Sequence, residues 1–238
     1  MDSMTHRFLA AGVTACLFFA APATRGAQSR DAREAADRAR TKIVILKTVR
    51  AGAAGSATGF MAGPGLAVTA GHAVSRATAV TAWLNGVSYP ARVSALHPSL
   101  DLAALRLRAP ELQLKPLELA ERSTDLLPGE ELLILAGPSQ GPNARGEPTT
   151  RVLIPATFRR RGEMRDPDGR VGTMLTLNAT VERGDSGSPV IRVRDGKVVG
   201  VVSSRELPDA EGVSRTAYAV PVEALAIWLR DVEADGEF

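Results

Sequence analysis

The residues of this chain that could do chemistry begin with Ser186, in the stretch ERGDSGSPVI (Glu182 to Ile191). A serine hydroxyl is a poor nucleophile unless a base takes its proton as it attacks. That base is usually a histidine held in one tautomer by a carboxylate. Gly184-Asp185-Ser186-Gly187 has the composition of a tight turn that presents such a serine. The same residues also spell Arg183-Gly184-Asp185, the tripeptide recognised by adhesion receptors, so attack and binding are both open at this point. Of the three histidines, His6 lies in an N-terminal leader, and His97, in ALHPSLD beside a proline, reads as a surface-loop histidine. His72 lies in LAVTAGHAV, where an apolar strand (Leu66 to Thr69) breaks into a turn of small residues, a place where an imidazole can face a cleft. Asp101 opens DLAALRL, and a lone acid at the mouth of a buried strand needs a partner, because an unpaired buried charge is expensive. Asp125, Asp166 and Asp168 stand in polar loop contexts and read as solvated.

The elements that must position these groups are strands. KIVILKTV reads as a strand, and FMA-GPG-LAVTA as two strands joined by a turn. Asn85-Gly86 separates VTAWL from VSYPARVSAL, and that pair suits a type I′ hairpin turn, in which both central residues need positive φ. Val87, Tyr89, Ala91, Val93 and Ala95 alternate with polar neighbours, which predicts one buried face. Asp195-Gly196 marks a second hairpin between VIRVR and KVVGVVSS. Strands also read from LDLAALRL, ELLILAG, TRVLIPATF and VGTMLTLN, with Arg108 to Glu130 as a connector between two β halves. PVEALAIWLRDV closes the chain as an amphipathic helix, with Val222, Leu225, Ala226 and Leu229 on one face. Such a pattern predicts an all-β protein of barrels or a sandwich.

With these residues in place, the chain resembles a chymotrypsin-like (trypsin-like) serine peptidase of the bacterial, disulfide-poor type. GSATGFMAGPGLAVTAGHAV, LDLAALRL and GDSGSPVIRVRDGKVVGVVSS are similar to three blocks of that family, in the order His, Asp, Ser. Asp101 follows His72 by 29 residues and precedes Ser186 by 85, and the likeness runs from about Ile43 to Leu229. The serine block is similar to that of glutamyl endopeptidases. The first block resembles the HtrA protease domain, here without the HtrA C-terminal domain. The resemblance implies two six-stranded antiparallel β-barrels with the site in the cleft between them and a C-terminal helix. It implies His72 as general base and acid, Asp101 as its orienting carboxylate, and Ser186 as nucleophile. The amides of Gly184 and Ser186 would form the oxyanion hole, and Ser203 would support Asp101. Thr180, six residues before Ser186, would lie at the base of the specificity pocket, where it offers no acid for Lys or Arg. Arg205 would attract acidic side chains or narrow the pocket. The glutamyl-specific relatives carry a histidine where this chain has Val202, so the expectation is small aliphatic residues. The chain departs from the pattern at Ser188 and Gly71, where glycine and alanine are commoner. Ser188 also excludes a G-x-S-x-G nucleophile elbow, and with it an α/β-hydrolase. Lys42-Ile43 could mark a zymogen cleavage site, but KIVILKTV as the first strand leaves no room for an inserting terminus.

The expected organisation is a signal peptide at 1–23, a helical or tethering segment at 24–41, a first barrel at 42–120, and a second barrel with the final helix at 121–238. Met1 to Arg7 is polar, Phe8 to Ala21 is apolar, and Ala21 and Ala23 offer an A-x-A cleavage site, which predicts export to the periplasm or medium. VTAC, ending in Cys16, is a lipobox-like alternative that would anchor the protein by lipid. Cys16 is the only cysteine, so cleavage after Ala23 leaves neither disulfides nor thiolate metal sites. Ser29 to Arg40 is rich in alanine and charge and reads as a surface helix or tether. At 45% hydrophobic, 23% charged and a net charge of +3, the chain is an ordinary globular protein without a basic stripe. That composition gives no ground for nucleic-acid binding. The expected partners are protein or peptide substrates, with no cofactor and no metal, and no membrane contact after leader removal. The rival readings are an inactive protease-like binding protein and an Arg-Gly-Asp adhesion ligand.

Overall fold

The computed structural model describes residues 25–108, 114–137, 152–165, 171–207, 210 and 214–234. The leader, Cys16, Asp166 and Asp168 lie outside the described residues. Twelve strands close into two barrels. The first holds β1 (Ile43–Arg50), β2 (Ala53–Gly63), β3 (Leu66–Ala70), β4 (Ala79–Leu84), β5 (Val87–His97) and β6 (Leu102–Leu107), and it closes where β1 pairs with β4. The second holds β7 (Glu131–Ala136), β8 (Val152–Arg165), β9 (Val171–Asn178), β10 (Pro189–Arg192), β11 (Val198–Arg205) and β12 (Thr216–Pro221), and it closes where β7 pairs with β10. The helices are α1 (Arg25–Arg40), the one-turn α2 (Gly71–Val74) and α3 (Val222–Ala234). This is the chymotrypsin-like architecture of two six-stranded antiparallel barrels and a C-terminal helix.

The local turn chemistry behaves as read. Asn85 and Gly86 take φ of 53° and 85°, the two left-handed positions of the β4–β5 turn. The β5 alternation is weaker than expected: the Tyr89, Ala91, Val93 and Ala95 face is only half-buried, and Val87 is exposed. The connector runs from Leu117, whose amide donates to the Met61 carbonyl of the first barrel, to Ala120, whose amide donates to Val198 of the second.

Three apolar clusters hold the molecule. One fills the first barrel, around Leu46, Met61, Leu84 and Leu105, and another fills the second, around Leu132, Ile134, Leu175 and Val199. The third lies between the barrels, where Phe60, Leu66 and Val68 meet Leu135, Ile191 and Val201. Both long helices pack into that junction. The inward face of α3 is Val222, Leu225, Trp228, Leu229 and Val232, with Ala226 only half-buried at its margin. The α1 helix corrects the surface-or-tether expectation. Ala35, Ala36 and Ala39 are at most 4% exposed and pack with Ile43, Leu133 and Val193. Alanines at that spacing form one helical face, and their small size lets the helix axis approach the sheet. The signal was masked because alanine looks neutral beside so many charges.

Candidate active site

The β3 strand carries its last residue, Ala70, into α2, and His72 stands on that single turn. Asp101 sits in the turn that leads into β6, with φ of +55°, a left-handed conformation that a short polar side chain tolerates better than most. The two pieces are joined by backbone as well as side chain. The Gly71 amide donates to the Asp101 carbonyl at 2.9 Å, and the His72 amide donates to Asp101 Oδ1 at 2.7 Å. A Cβ on residue 71 would lie 3.2 Å from the Asp101 carbonyl carbon and from the Leu102 backbone, a close contact that glycine avoids.

Side chains complete a continuous chain of hydrogen bonds. His72 Nδ1 lies 2.8 Å from Asp101 Oδ2, and His72 Nε2 lies 3.1 Å from Ser186 Oγ. With Asp101 ionised, Nδ1 carries the proton and Nε2 is left to accept from the serine. Ser203 Oγ donates to Asp101 Oδ2 at 2.5 Å. The Asp101 side chain is 13% exposed and that of His72 is 50% exposed, so the carboxylate is sheltered while the imidazole faces the cleft. Residues more than a hundred positions apart thus meet across the barrel junction.

The serine turn is held in place by the first barrel. Gly184 and Gly187 have φ of 104° and 87°. A Cβ on Gly187 would collide with the Thr58 carbonyl, the Thr69 hydroxyl and the Ala70 amide. Thr58 on β2 is fully buried and grips the turn at two carbonyls. Its Oγ1 donates to the Gly184 carbonyl at 2.8 Å, and its amide donates to the Ser186 carbonyl at 3.0 Å. The same Oγ1 accepts from the Gly137 amide at 2.7 Å, and the Thr58 carbonyl accepts from Thr69 Oγ1 at 2.6 Å. Among the described residues, the amides of Gly184 and Ser186 donate to no protein group, and both residues line the cleft beside His72. Two free backbone donors next to a serine hydroxyl can receive a developing negative charge.

This arrangement is that of a known family. A family model described as "Trypsin-like peptidase domain" matches residues 57–201, more than half of the chain. The chain belongs to the trypsin-like peptidase domain family. It is 32% identical over 158 residues to serine protease Rv3671c of Mycobacterium tuberculosis, covering 65% of this chain and 37% of that protein. It is 29% identical over 192 residues to serine protease HTRA1A of Danio rerio, covering 80% of this chain and 37% of that protein. The chain thus spans little more than a third of the length of these curated relatives. The crystal structure of the Rv3671c protease in its active form superposes with a TM-score of 0.71 at 24% identity, covering 83% of each chain.

Around this peptidase framework the remaining expected residues fall as follows. Thr180 is exposed after β9, and Arg205 at the end of β11 donates from Nη1 to the Val181 carbonyl at 3.1 Å, crossing from one segment to the other. Asp185 is 3% exposed, and its Oδ2 accepts from the Glu182 amide at 2.7 Å. Burial is the main cause that pushes its carboxyl up from 3.8 to about 6, against the Glu182 amide, with the Glu182 charge adding to the rise and Arg205 opposing it. An adhesion ligand needs a protruding aspartate, and this one is turned inward. Ile43 is fully buried as the first residue of β1, in keeping with KIVILKTV as the first barrel strand.

Two contributors were not singled out from sequence, and a third, His97, was read there only as a surface-loop residue. Thr58, in SATGF, shows nothing that marks it apart from any strand threonine. Arg50 donates from Nη2 to the His72 carbonyl at 2.8 Å from the far end of β1. His97 is half-buried rather than a free loop residue: its Nδ1 accepts from the Leu100 amide at 3.3 Å, inside the turn that delivers Asp101. Its ring meets Trp228 of α3 edge-on, with centroids 6.2 Å apart. The i-to-i+3 spacing of His97 and Leu100, before Asp101, is the kind of signal that could have pointed to a turn cap.

Proposed function

We propose that the chain is an exported serine endopeptidase that hydrolyses peptide bonds through an acyl-enzyme. The observation that carries this reading is the unbroken hydrogen-bonded series from Ser186 through His72 and Asp101 to Ser203. Ser186 Oγ attacks the scissile carbonyl carbon as its proton passes to His72 Nε2. The oxyanion so formed meets the Gly184 and Ser186 amides, which do more for the transition state than for the planar ground state. Collapse breaks the C–N bond, and His72 returns the proton to the leaving amine. Water, deprotonated by the same imidazole, then hydrolyses the ester and restores Ser186. Asp101 holds the tautomer and stabilises the imidazolium.

Small aliphatic residues fit the acyl side best. Thr180 is uncharged, and the Arg205 guanidinium, tied through Nη1 to the Val181 carbonyl, reaches across to that segment and narrows the space between them. The N-terminal pattern of a polar start, an apolar run and Ala-x-Ala supports export, which fractionation of cells expressing the full chain would test.

The deciding experiment is labelling with a fluorophosphonate probe alongside casein cleavage. Wild type should label and cleave, whereas Ser186→Ala and His72→Ala should do neither. An unlabelled, inactive wild type, together with a cell-adhesion response lost in Asp185→Glu, would overturn the reading.

A further inference from the structure

A cleft adjoins Ser186. It encloses about 680 Å³ between the β1–β2 hairpin and the serine turn, bordered by Thr48, Arg50, His72, Arg183 and Ser186. None of Thr180, Val181, Ser203 or Arg205 lines it. If the latter residues hold the acyl side of a substrate, the leaving-group side of the chain must run out through this cleft. The inference therefore rests on the proposed hydrolase reading.

The charge of the cleft is one-sided. Arg50 and Arg183 line it, and no aspartate or glutamate does. Both arginines are exposed, and among the described residues neither is ion-paired. This sets them apart from Arg30, Arg122, Arg161, Arg192 and Arg194, each of which has a carboxylate partner. Arg50 is also held in place: its Nη2 donates to the His72 carbonyl, and that bond leaves its other N–H groups for a ligand. The remaining wall, Ala53, Ala54, Gly55, Ser56, Ala73 and Gly184, is made of small residues that do not obstruct a side chain reaching the guanidiniums. A planar guanidinium with free donors beside an open, acid-free cleft suits a carboxylate, bound through paired hydrogen bonds.

We propose that this cleft selects substrates with a carboxylate in the first two residues after the scissile bond, with Arg50 and Arg183 as the specificity-determining residues. The carboxylate is a Glu or Asp side chain or the free C-terminus of a short leaving peptide. Internal acids and chain ends share that chemistry and are separated by the test.

The test compares kcat/KM for a family of internally quenched peptides that differ only after the cleavage point. One pair carries Glu or Gln there with an amidated C-terminus, and a second pair carries Gln with a free or an amidated C-terminus two residues on. Two partly exposed charge pairs predict a preference of about tenfold for the carboxylate at low salt, fading as salt screens it. Arg183→Gln should shrink the ratio and Arg183→Glu should invert it. Arg50→Gln should shrink it too, read as a ratio because this variant also frees the His72 carbonyl. A preference in the first pair identifies side-chain acids as the ligand, and one confined to the second identifies chain ends. A wild-type ratio near one in both pairs, or a ratio that Arg183→Gln leaves unchanged, overturns the proposal. Binding of the same peptides to Ser186→Ala, followed by fluorescence anisotropy, keeps the two claims apart. If wild type neither labels nor cleaves, the hydrolase reading falls. The anisotropy then still decides whether the cleft takes carboxylates.

Discussion

Thr58→Val replaces one buried hydroxyl with a methyl group of nearly the same shape, and two backbone groups lose their partner at once. The Gly137 amide, now 2.7 Å from Oγ1, and the Gly184 carbonyl, at 2.8 Å, are left facing a methyl group at a fully buried site. Each unsatisfied buried group costs about 1–3 kcal/mol, so a loss of about 2–6 kcal/mol in stability is expected. For a chain of this size each kcal/mol lowers the melting temperature by about 2–4 °C, so a fall of at least about 4 °C, and up to about 20 °C, should appear. The catalytic effect is separable from that. The Gly184 carbonyl belongs to the peptide unit that follows the Gly184 amide, so releasing it lets the first oxyanion donor rotate. Complete loss of such a donor costs about 10²–10³ in kcat, and a loosened one should fall short of that, roughly tenfold to a hundredfold. The assay is kcat and KM on a peptide substrate well below the melting temperature, with fluorophosphonate labelling rates beside it. KM should change little, and Thr58→Ser should recover most of both losses because it keeps the hydroxyl. A Thr58→Val protein with wild-type kcat and an unshifted melt would refute the claim that the first barrel holds the oxyanion turn through this hydroxyl.

Three further outcomes follow from the same geometry. Asp185 binds its proton more tightly folded than unfolded, so its contribution to stability is fully present below its ordinary 3.8 and is lost as pH rises through about 6. Wild type should therefore lose stability relative to Asp185→Asn between those pH values in urea melts, and a pH-independent difference between the two would contradict this. His97→Ala removes one of two acceptors of the Leu100 amide, which also donates to the His97 carbonyl at 3.2 Å, and should lower kcat only a few-fold by loosening the Asp101 turn, whereas His97→Asp, which can accept at the same i-to-i+3 spacing, should retain activity. Equal losses in both variants would place the importance of His97 in its contact with Trp228 instead. Ser188 is fully buried, and among the described residues its hydroxyl has no partner, so Ser188→Ala should hold or raise the melting temperature, and a marked drop would show that the hydroxyl is bonded.

Features set by neighbours in sequence were legible from sequence. Asn85-Gly86 turned a hairpin because positive φ is a property of those residues, and α3 formed because apolar residues recur at helical spacing. The Ser186, His72 and Asp101 blocks were legible for a related reason: each needs its own local frame, a glycine turn, a strand ending in small residues, and an acid at the mouth of an apolar strand. The resemblance then joined the three blocks and supplied the barrels. Periodicity overstated β5, whose expected inner face is only half-buried, because the burial of a strand depends on what packs over it.

What only the tertiary structure decided depends on groups far apart in the chain. The alanine face of α1 became a core element because two barrels leave a groove narrow enough for alanine. Thr58 acquired its role because the barrel junction sets β2 against a turn 126 residues away. Arg50 reaches His72 and faces Arg183 only once the hairpin folds over α2. Sequence alone determined the reactive groups and the turns that present them, since those follow from side-chain chemistry and local dihedral preference. Their alignment and the charge of the cleft beside them came from packing, because hydrogen bonds and fields depend on distances that no local rule contains.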